Sequence, residues 1–315
     1  MFLLLRTLFS QTLYNVMSID AARFSRLFCL YFMSPILCVS AAVNSSSASP
    51  TLRLCTGSPT GHYYGVGQII AQALSADLNI ELFSTRGSWE NLGRIHGDPP
   101  QCDAIIAQDD AVAVYLFEHP QKIGEIERVS PLYQEHIQVV CNRFVKARRL
   151  ADLDNDTRIM IGSYGTGTFI TWTLIERLVP GKYGVLRSQE IGGNKGISQL
   201  LQSARPQCLL FVQALAQGGL TRVNDELGEQ LHLLHVDDEA FQYPINQGGI
   251  SRVLYQAVHV HRNVYPKLLK THLRTQTVDA VLYLHHSWRK SHPKLAELLS
   301  RMIISMQSRI QRSVD

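Results

Sequence analysis

The sequence predicts an α/β fold of two lobes, built on parallel-rich sheets with helices on both faces. Three observations carry the expectation. A short apolar strand runs into a glycine loop and then an amphipathic helix at 52–74, the same order recurs at 158–178, and strand and helix patterns alternate around both copies. In the first copy 53–56 reads as the strand and 57–65 as the loop, while Val66, Ile69, Ile70, Ala73 and Leu74 share one helical stripe. In the second, 158–161 is the strand, 162–168 the loop, and Ile170, Trp172, Leu174, Ile175 and Leu178 the helix face. Glycines let the backbone turn and approach a ligand, and the free N–H groups of the following helix point at it. Such a helix end holds an exposed negative charge by roughly 0.3–1 kcal/mol, and by about 2 kcal/mol when partly buried.

The remaining elements follow in order. Residues 79–83 read as a strand, and Gly87-Ser88 as a turn with a helix-capping serine ahead of Leu92 and Ile95. Residues 103–107 form a continuous apolar strand, of the kind buried on both faces of a parallel sheet, and Gln108-Asp109-Asp110 caps the helix behind it. A strand at 136–141 leaves the first unit. Asn194 caps a helix carrying Ile197, Leu200 and Leu201, and 208–212 and 231–236 are further strands. Residues 243–262 are turn-rich with a strand at 258–261, and helical segments are expected at 278–288 and 293–310. Hinges are expected near 139–142 and 236–241. The division this implies is a first part of lobe one at 52–140, lobe two at 141–236, and a return to lobe one with C-terminal helices at 237–315.

The first forty-odd residues differ in kind. Arg23 and Arg26 precede an apolar stretch at 27–39, which small residues follow. This pattern reads as a secretory signal over 1–42, cleaved after Ala41 or Ala42, with a Ser-rich linker at 43–51. Met17 is an alternative start and an uncleaved anchor the alternative fate. Leu37 is bulky for a lipid attachment site at Cys38. The expected compartment is periplasmic, where disulfides are permitted. Cys55, Cys102, Cys141 and Cys208 then allow three pairings, and buried free thiols are the other reading.

Several function classes are set aside. The formal charge is +4 and the cations are scattered, the nearest approach to a basic run being 143–149, which reads as a solvated face. No nucleic-acid partner is expected. Neither glycine loop carries the lysine of a phosphate-binding P-loop, and Gly162, Gly165 and Gly167 run in the wrong order for a dinucleotide site. No Gly-x-Ser-x-Gly elbow is present. Twelve histidines raise a metal question, yet His259-x-His261 and the pair His232 and His235 lack any paired-Cys or His-Glu-x-x-His support. No metal, cofactor or catalytic residue is expected.

In α/β sheets ligands bind beyond the carboxyl ends of the strands. The candidate site is therefore a cleft built by loops at 57–64, 87–89, 108–110, 163–168 and 211–214. Tyr63, Tyr64, Trp89, Tyr164 and Phe211 are its aromatics, serving as covers for a ligand or as core packing. Ser58, Thr60, Ser88, Asp110, Thr166, Thr168 and Gln213 supply donors and acceptors, or caps and turns.

Residues 56–67, then Gly87-Ser88-Trp89-Glu90-Asn91-Leu92, 102–110, and Leu150-Ala151-Asp152-Leu153 followed by 161–168 resemble the successive blocks of the TAXI family, the solute receptors of TRAP-type transporters. The resemblance covers 52–236 and thins afterwards, where Tyr243-Pro244 and Gly248-Gly249 echo a later segment. It implies a type II periplasmic-binding-protein fold whose lobes close around a small organic anion or amino acid, glutamate-like or a dicarboxylate, for delivery to integral membrane TRAP permease subunits. It also implies that Gly57, Ser58, Gly61, Tyr63, Tyr64, Ser88, Gln108, Asp110, Ser163, Gly165, Thr166 and Thr168 line the cleft. His62, Pro59 and Trp89 depart from the family pattern. A stand-alone sensor on the same fold and an enzyme acting on a small carboxylate are the alternatives.

Overall fold

The protein is described by a computed structural model covering residues 49–314 apart from 217, 248 and 249. The expected leader and most of the linker lie outside the described residues. Among those described, no helix is long and apolar enough to cross a membrane.

One plan is used twice. The first half runs β1 (Thr51–Cys55), α1 (His62–Leu74), β2 (Asn79–Phe83), α2 (Ser88–Ile95), β3 (Ala104–Gln108) and α3 (Asp109–Glu118), and leaves along β4 (Ile126–Asn142). The second runs β5 (Arg158–Met160), α4 (Gly167–Leu178), β6 (Arg187–Gln189), α5 (Gly193–Gln202), β7 (Gln207–Gln213), α6 (Gly218–Leu227) and β8 (Leu231–Leu234). A hairpin of β9 (Ile245–Gln247) and β10 (Ile250–Arg252), then β11 (Tyr255–Val260), leads to β12 (Leu273–His285), α7 (His286–Ser291) and α8 (Pro293–Val314). The sheet order is β2-β1-β3-β12-β4-β7-β5-β6. In the first half β2, β1 and β3 are parallel and β12 closes them antiparallel. In the second, β6, β5 and β7 are parallel and β4 closes them antiparallel. The repeated glycine loops thus belong to repeated sheets, each loop lying between the first strand of its half and the helix that follows.

The halves are joined by β4 and β12, which pair antiparallel from Ile126 opposite His285 to His136 opposite Thr277, with two bulges. From His136 onward β4 is paired with β7 and then β8. The crossing therefore falls at 134–136 against 277–279. The stretch 139–142, expected as a hinge, is already inside the second sheet.

The segment 278–285, expected as helix, is strand. Ala280, Leu282 and Leu284 pack on one face with α1 and α8, and Val278, Val281 and Tyr283 on the other with the core shared by α2, α3 and α4. A strand covered on both faces loses the polar alternation that separates it from a helix in sequence. The glycine loop 57–65 is also shorter than expected, because α1 begins at His62. Gly67 serves helix packing, since a β carbon there would lie 2.9 Å from Thr56 Cγ2 and 3.2 Å from Leu82 Cδ2. Ser88, expected as a cap, is the first helical residue of α2, with Gly87 before it at φ 112°. Asn194 accepts from Arg222 inside α5, whose cap position is Gly192.

A third cluster packs Leu209, Phe211, Leu220 and Val223 with Val260, Tyr265, Leu268 and Leu273, placing α5, α6 and the 260–273 segment on one side of the second half. Two disulfides resolve the open pairings. Cys55–Cys102 spans 47 residues of the first half, and Cys141–Cys208 joins directly opposed residues of β4 and β7 across 67. Closing loops of that length restricts the unfolded chain by about 4 kcal/mol each in the chain-entropy account.

Candidate functional site

Loops from both halves meet at a seam beside the crossing strands. On the first side, β1 ends at a turn in which the Gly61 amide donates to the Ser58 carbonyl, and α1 starts directly behind it at His62 with its first N–H groups free of intrahelical partners. Asn91 of α2 braces this turn from below: its amide donates to the carbonyls of Thr56 at 2.5 Å and Ile106 at 2.8 Å, and its oxygen accepts from Thr85 Oγ1 at 2.7 Å. The carboxyl ends of β1 and β3 are thereby tied together by one buried side chain. On the second side, the Gly162 backbone stands at φ 85° and Gly165 at φ 77°, both in the left-handed region that favours glycine. Thr166 caps α4 by accepting from the Phe169 amide at 3.3 Å, while its hydroxyl donates to the Ser163 carbonyl.

The two sides touch. A β carbon built on Gly167, the first residue of α4, would lie 2.2 Å from Gln108 Oε1, and one on Gly165 would lie 3.7 Å from the Trp89 side chain. Gln108 is buried; its amide donates to Glu135 Oε2 at 2.5 Å, its backbone N–H donates to Ser88 Oγ, and among the described residues its Oε1 has no hydrogen-bond donor. Tyr133 donates to the other oxygen of Glu135 at 3.0 Å, and the Tyr63 hydroxyl lies 3.3 Å from Ser88 Oγ. Farther along, Asp110 accepts from Thr171 at 2.6 Å and from Tyr255 at 3.0 Å, linking α3, α4 and β11. Arg177 and Glu118 pair at 2.6 Å at the outer end of the same two helices. Trp89, Tyr164, Gly165 and Phe169 border a cavity of about 40 Å³, enough for water but not for a solute.

Burial dominates the electrostatics. Glu135 is pushed up to about 8 by desolvation, against the pull of its two hydrogen bonds, with the Asp110 charge adding to the rise. Asp110 is pushed up to about 6 for the same first reason. Glu135 is therefore mostly protonated at neutral pH, and a cation placed beside it would draw off that proton.

The predicted site residues divide. Tyr63, Ser88, Gln108, Trp89, Gly165 and Thr166 assemble at the seam, with Gly57 buried against Tyr63. Asp110 lies on the contact between α3 and α4, and Thr168 is packed beside Gly162. Tyr64 is half-buried one residue beyond Tyr63. Ser58 and Thr60 are exposed and their hydroxyls are 3.2 Å apart, while Ser163 is exposed with its carbonyl spent on Thr166. Tyr164 is 67% exposed and leans on the Phe169 ring. Phe211 faces α5 and α6 within the third cluster, away from the seam. Gln213 lies opposite His136, and the next residue, Ala214, packs with Tyr133 in the core of the first half. The sequence reading missed Glu135, Tyr133, Asn91, Thr171 and Tyr255. For Glu135 a signal was present: an acid directly ahead of an apolar strand, two residues from a tyrosine.

Two α/β lobes joined by a pair of antiparallel crossing strands, with Trp89 and Gln108 of one half set against the glycine loop and helix start of the other, are the fold of two-lobed periplasmic substrate-binding proteins. The chain belongs to the NMT1-like family, whose profile matches residues 54–291. Among solved structures it is similar to an ancestral arginine-binding protein bound to arginine, at 9% identity over 84% of this chain and 97% of that one, with a TM-score of 0.50. It is also similar to lactococcal OpuAC in its closed-liganded conformation with glycine betaine, at 9% identity, 80% and 84% coverage and a TM-score of 0.47. A third is AbpA of Streptococcus pneumoniae bound to L-arginine, at 11% identity, 82% and 89% coverage and 0.46. At these identities the likeness speaks of the fold.

Proposed function

We propose that this chain is an extracytoplasmic solute-binding protein that captures a small organic anion or amino acid between its lobes and delivers it to TRAP-type membrane subunits. The observation that carries the reading is Gln108 Oε1, a buried acceptor without a donor, set at the start of α4 beside the protonated carboxyl of Glu135. A buried acceptor left unpaired costs about 1–3 kcal/mol, which a ligand bearing N–H groups would offset. The α1 and α4 N-termini favour a carboxylate, and Gln108 with Glu135 favours an ammonium group, so an α-amino acid suits both. The ordered blocks at 52–236 support the TRAP partner, and the leader pattern supports the periplasm.

In this reading the lobes divide at the crossing strands. Lobe one comprises 52–134 with 280–315, and lobe two 136–277, so that the return falls on β12 and not at 237. Closure is reversible in this reading because the ligand supplies the difference in affinity between open and closed forms, set against the apolar contact of α3 with α4. Melting the purified protein with each of the amino acids and short dicarboxylates tests the reading. One class is expected to stabilise by roughly 2.7 kcal/mol at about 100-fold over its dissociation constant. A flat response across the whole panel contradicts it.

A further inference from the structure

A concavity at the far end of the second half takes no part in the seam. It holds about 600 Å³ between the end of β4, the start of β8 and the turn ahead of β12. Five cations line it, Arg143, Lys146, Arg148, Lys267 and Lys270, with Glu229 as the opposing carboxylate. All five are exposed, and among the described residues none is ion-paired. Lys146 and Lys267 donate to the backbone carbonyls of Arg143 and Asp225. By contrast Arg53, Arg94, Arg128, Arg149 and Arg274 each meet an Asp or Glu. The lining thus carries a local excess of four positive charges.

Two features make this a concave site with a definite chemistry. Its floor is apolar, formed by Leu231, Leu233, Leu268 and Leu269, which belong to the core of the second half. Its wall is close-packed at Lys267, whose Cβ would be 2.4 Å from a β carbon on Gly228, so that the backbone of 267–268 passes directly against that of 228. The positive field is felt by His232, held below its ordinary value by burial first and then by the charges of Arg148 and Lys146, against its bond to the Ala147 carbonyl. Guanidinium groups bind phosphate oxygens in pairs, and ammonium groups add point charges around them. A single carboxylate would leave most of the excess unmet.

We propose that this cavity binds a phosphate ester with an apolar portion, the phosphate held by Arg148 and the rim lysines and the apolar portion lying on the leucine floor. Such chemistry occurs in soluble phosphate esters and in phospholipid headgroups. Calorimetry with monomeric dihexanoyl phosphatidylglycerol tests it. Saturable one-to-one binding is expected that weakens with added salt. Arg148→Ala/Lys270→Ala should lose at least about tenfold in affinity, while Lys195→Ala/Arg205→Ala, which removes the same charge from exposed positions elsewhere in the second half, should bind like wild type. Both double variants should melt with wild type. Sedimentation with vesicles of phosphatidylcholine containing one quarter phosphatidylglycerol separates the sources: the same dependence on variants assigns a lipid headgroup, and binding of the monomer alone assigns a soluble ester. Absence of saturable binding, equal losses in the two double variants, or binding of a poly-glutamate peptide with none of the phosphate probes would overturn the proposal.

Discussion

Gly167→Ala is expected to open the seam and weaken solute capture while leaving each lobe folded. The added β carbon would lie 2.2 Å from Gln108 Oε1, 2.8 Å from its Cδ and 3.1 Å from its Nε2, so the end of this side chain must move, and its cost is set by the buried hydrogen bond it gives up. Gln108 would have to swing away, breaking its bond to Glu135 and stranding a second buried group. That loss amounts to about 1.5–3 kcal/mol, or roughly 10- to 100-fold in affinity. Alanine is the better helix former by up to about 1 kcal/mol, so in an open form, where Gln108 is not above it, the substitution is tolerated. The overlap therefore acts on closure and not on folding. Circular dichroism and calorimetry with the stabilising solute would check this. A variant that melts near wild type and responds more weakly is the expected result, and unchanged affinity contradicts the seam as the binding site.

Glu135→Gln is expected to raise stability in mild alkali and to remove recognition of amine-bearing solutes. The carboxyl is held up at about 8 in the folded protein against an ordinary value of 4.5. A folded value above the unfolded one means that the stability is fully present below about 4.5 and is lost as pH rises towards about 8. The difference corresponds to roughly 5 kcal/mol across that window, as an upper figure. The amide of the variant is neutral at every pH, so above about pH 6, where Asp110 has already ionised in both proteins, it should decline less than wild type up to about pH 8. If an ammonium group of the solute displaces the proton, wild type should also release about one proton on binding below pH 8, and the variant none. Denaturant melts at several pH values and calorimetry in buffers of different ionisation enthalpy measure both. A parallel decline in the two proteins would remove Glu135 as the titrating group.

The repeated strand, glycine loop and helix were legible because each carries a local chemical reason: β carbons excluded at Gly162 and Gly165 by positive φ, and an amphipathic stripe behind them. The buried strands β3 and β7 were legible as apolar runs, to within a residue. What failed was decided at long range. Residues 278–285 are apolar throughout because β12 lies between two cores, and periodicity alone does not distinguish such a strand from a helix. Glu135 and Asn91 were missed because their roles depend on partners distant in sequence: Gln108 of β3 for one, the carbonyls of Thr56 and Ile106 for the other. Phe211 was placed in the cleft by its position at a strand end, yet a strand presents alternate residues to opposite faces, and its register turns this ring towards α6. The basic stretch 143–149 gained meaning only when Lys267 and Lys270, more than a hundred residues on, folded beside it.

The central claim is that the halves close on a solute held between them. Spin labels at Glu81→Cys on β2 and Arg187→Cys on β6, exposed positions on the two outer edge strands, report the separation of the lobes. Pulsed dipolar spectroscopy without solute should give a broad distribution that includes longer distances, and saturation with the stabilising amino acid should narrow it to a single shorter separation. A distribution identical in the presence and absence of every solute that binds would contradict the claim.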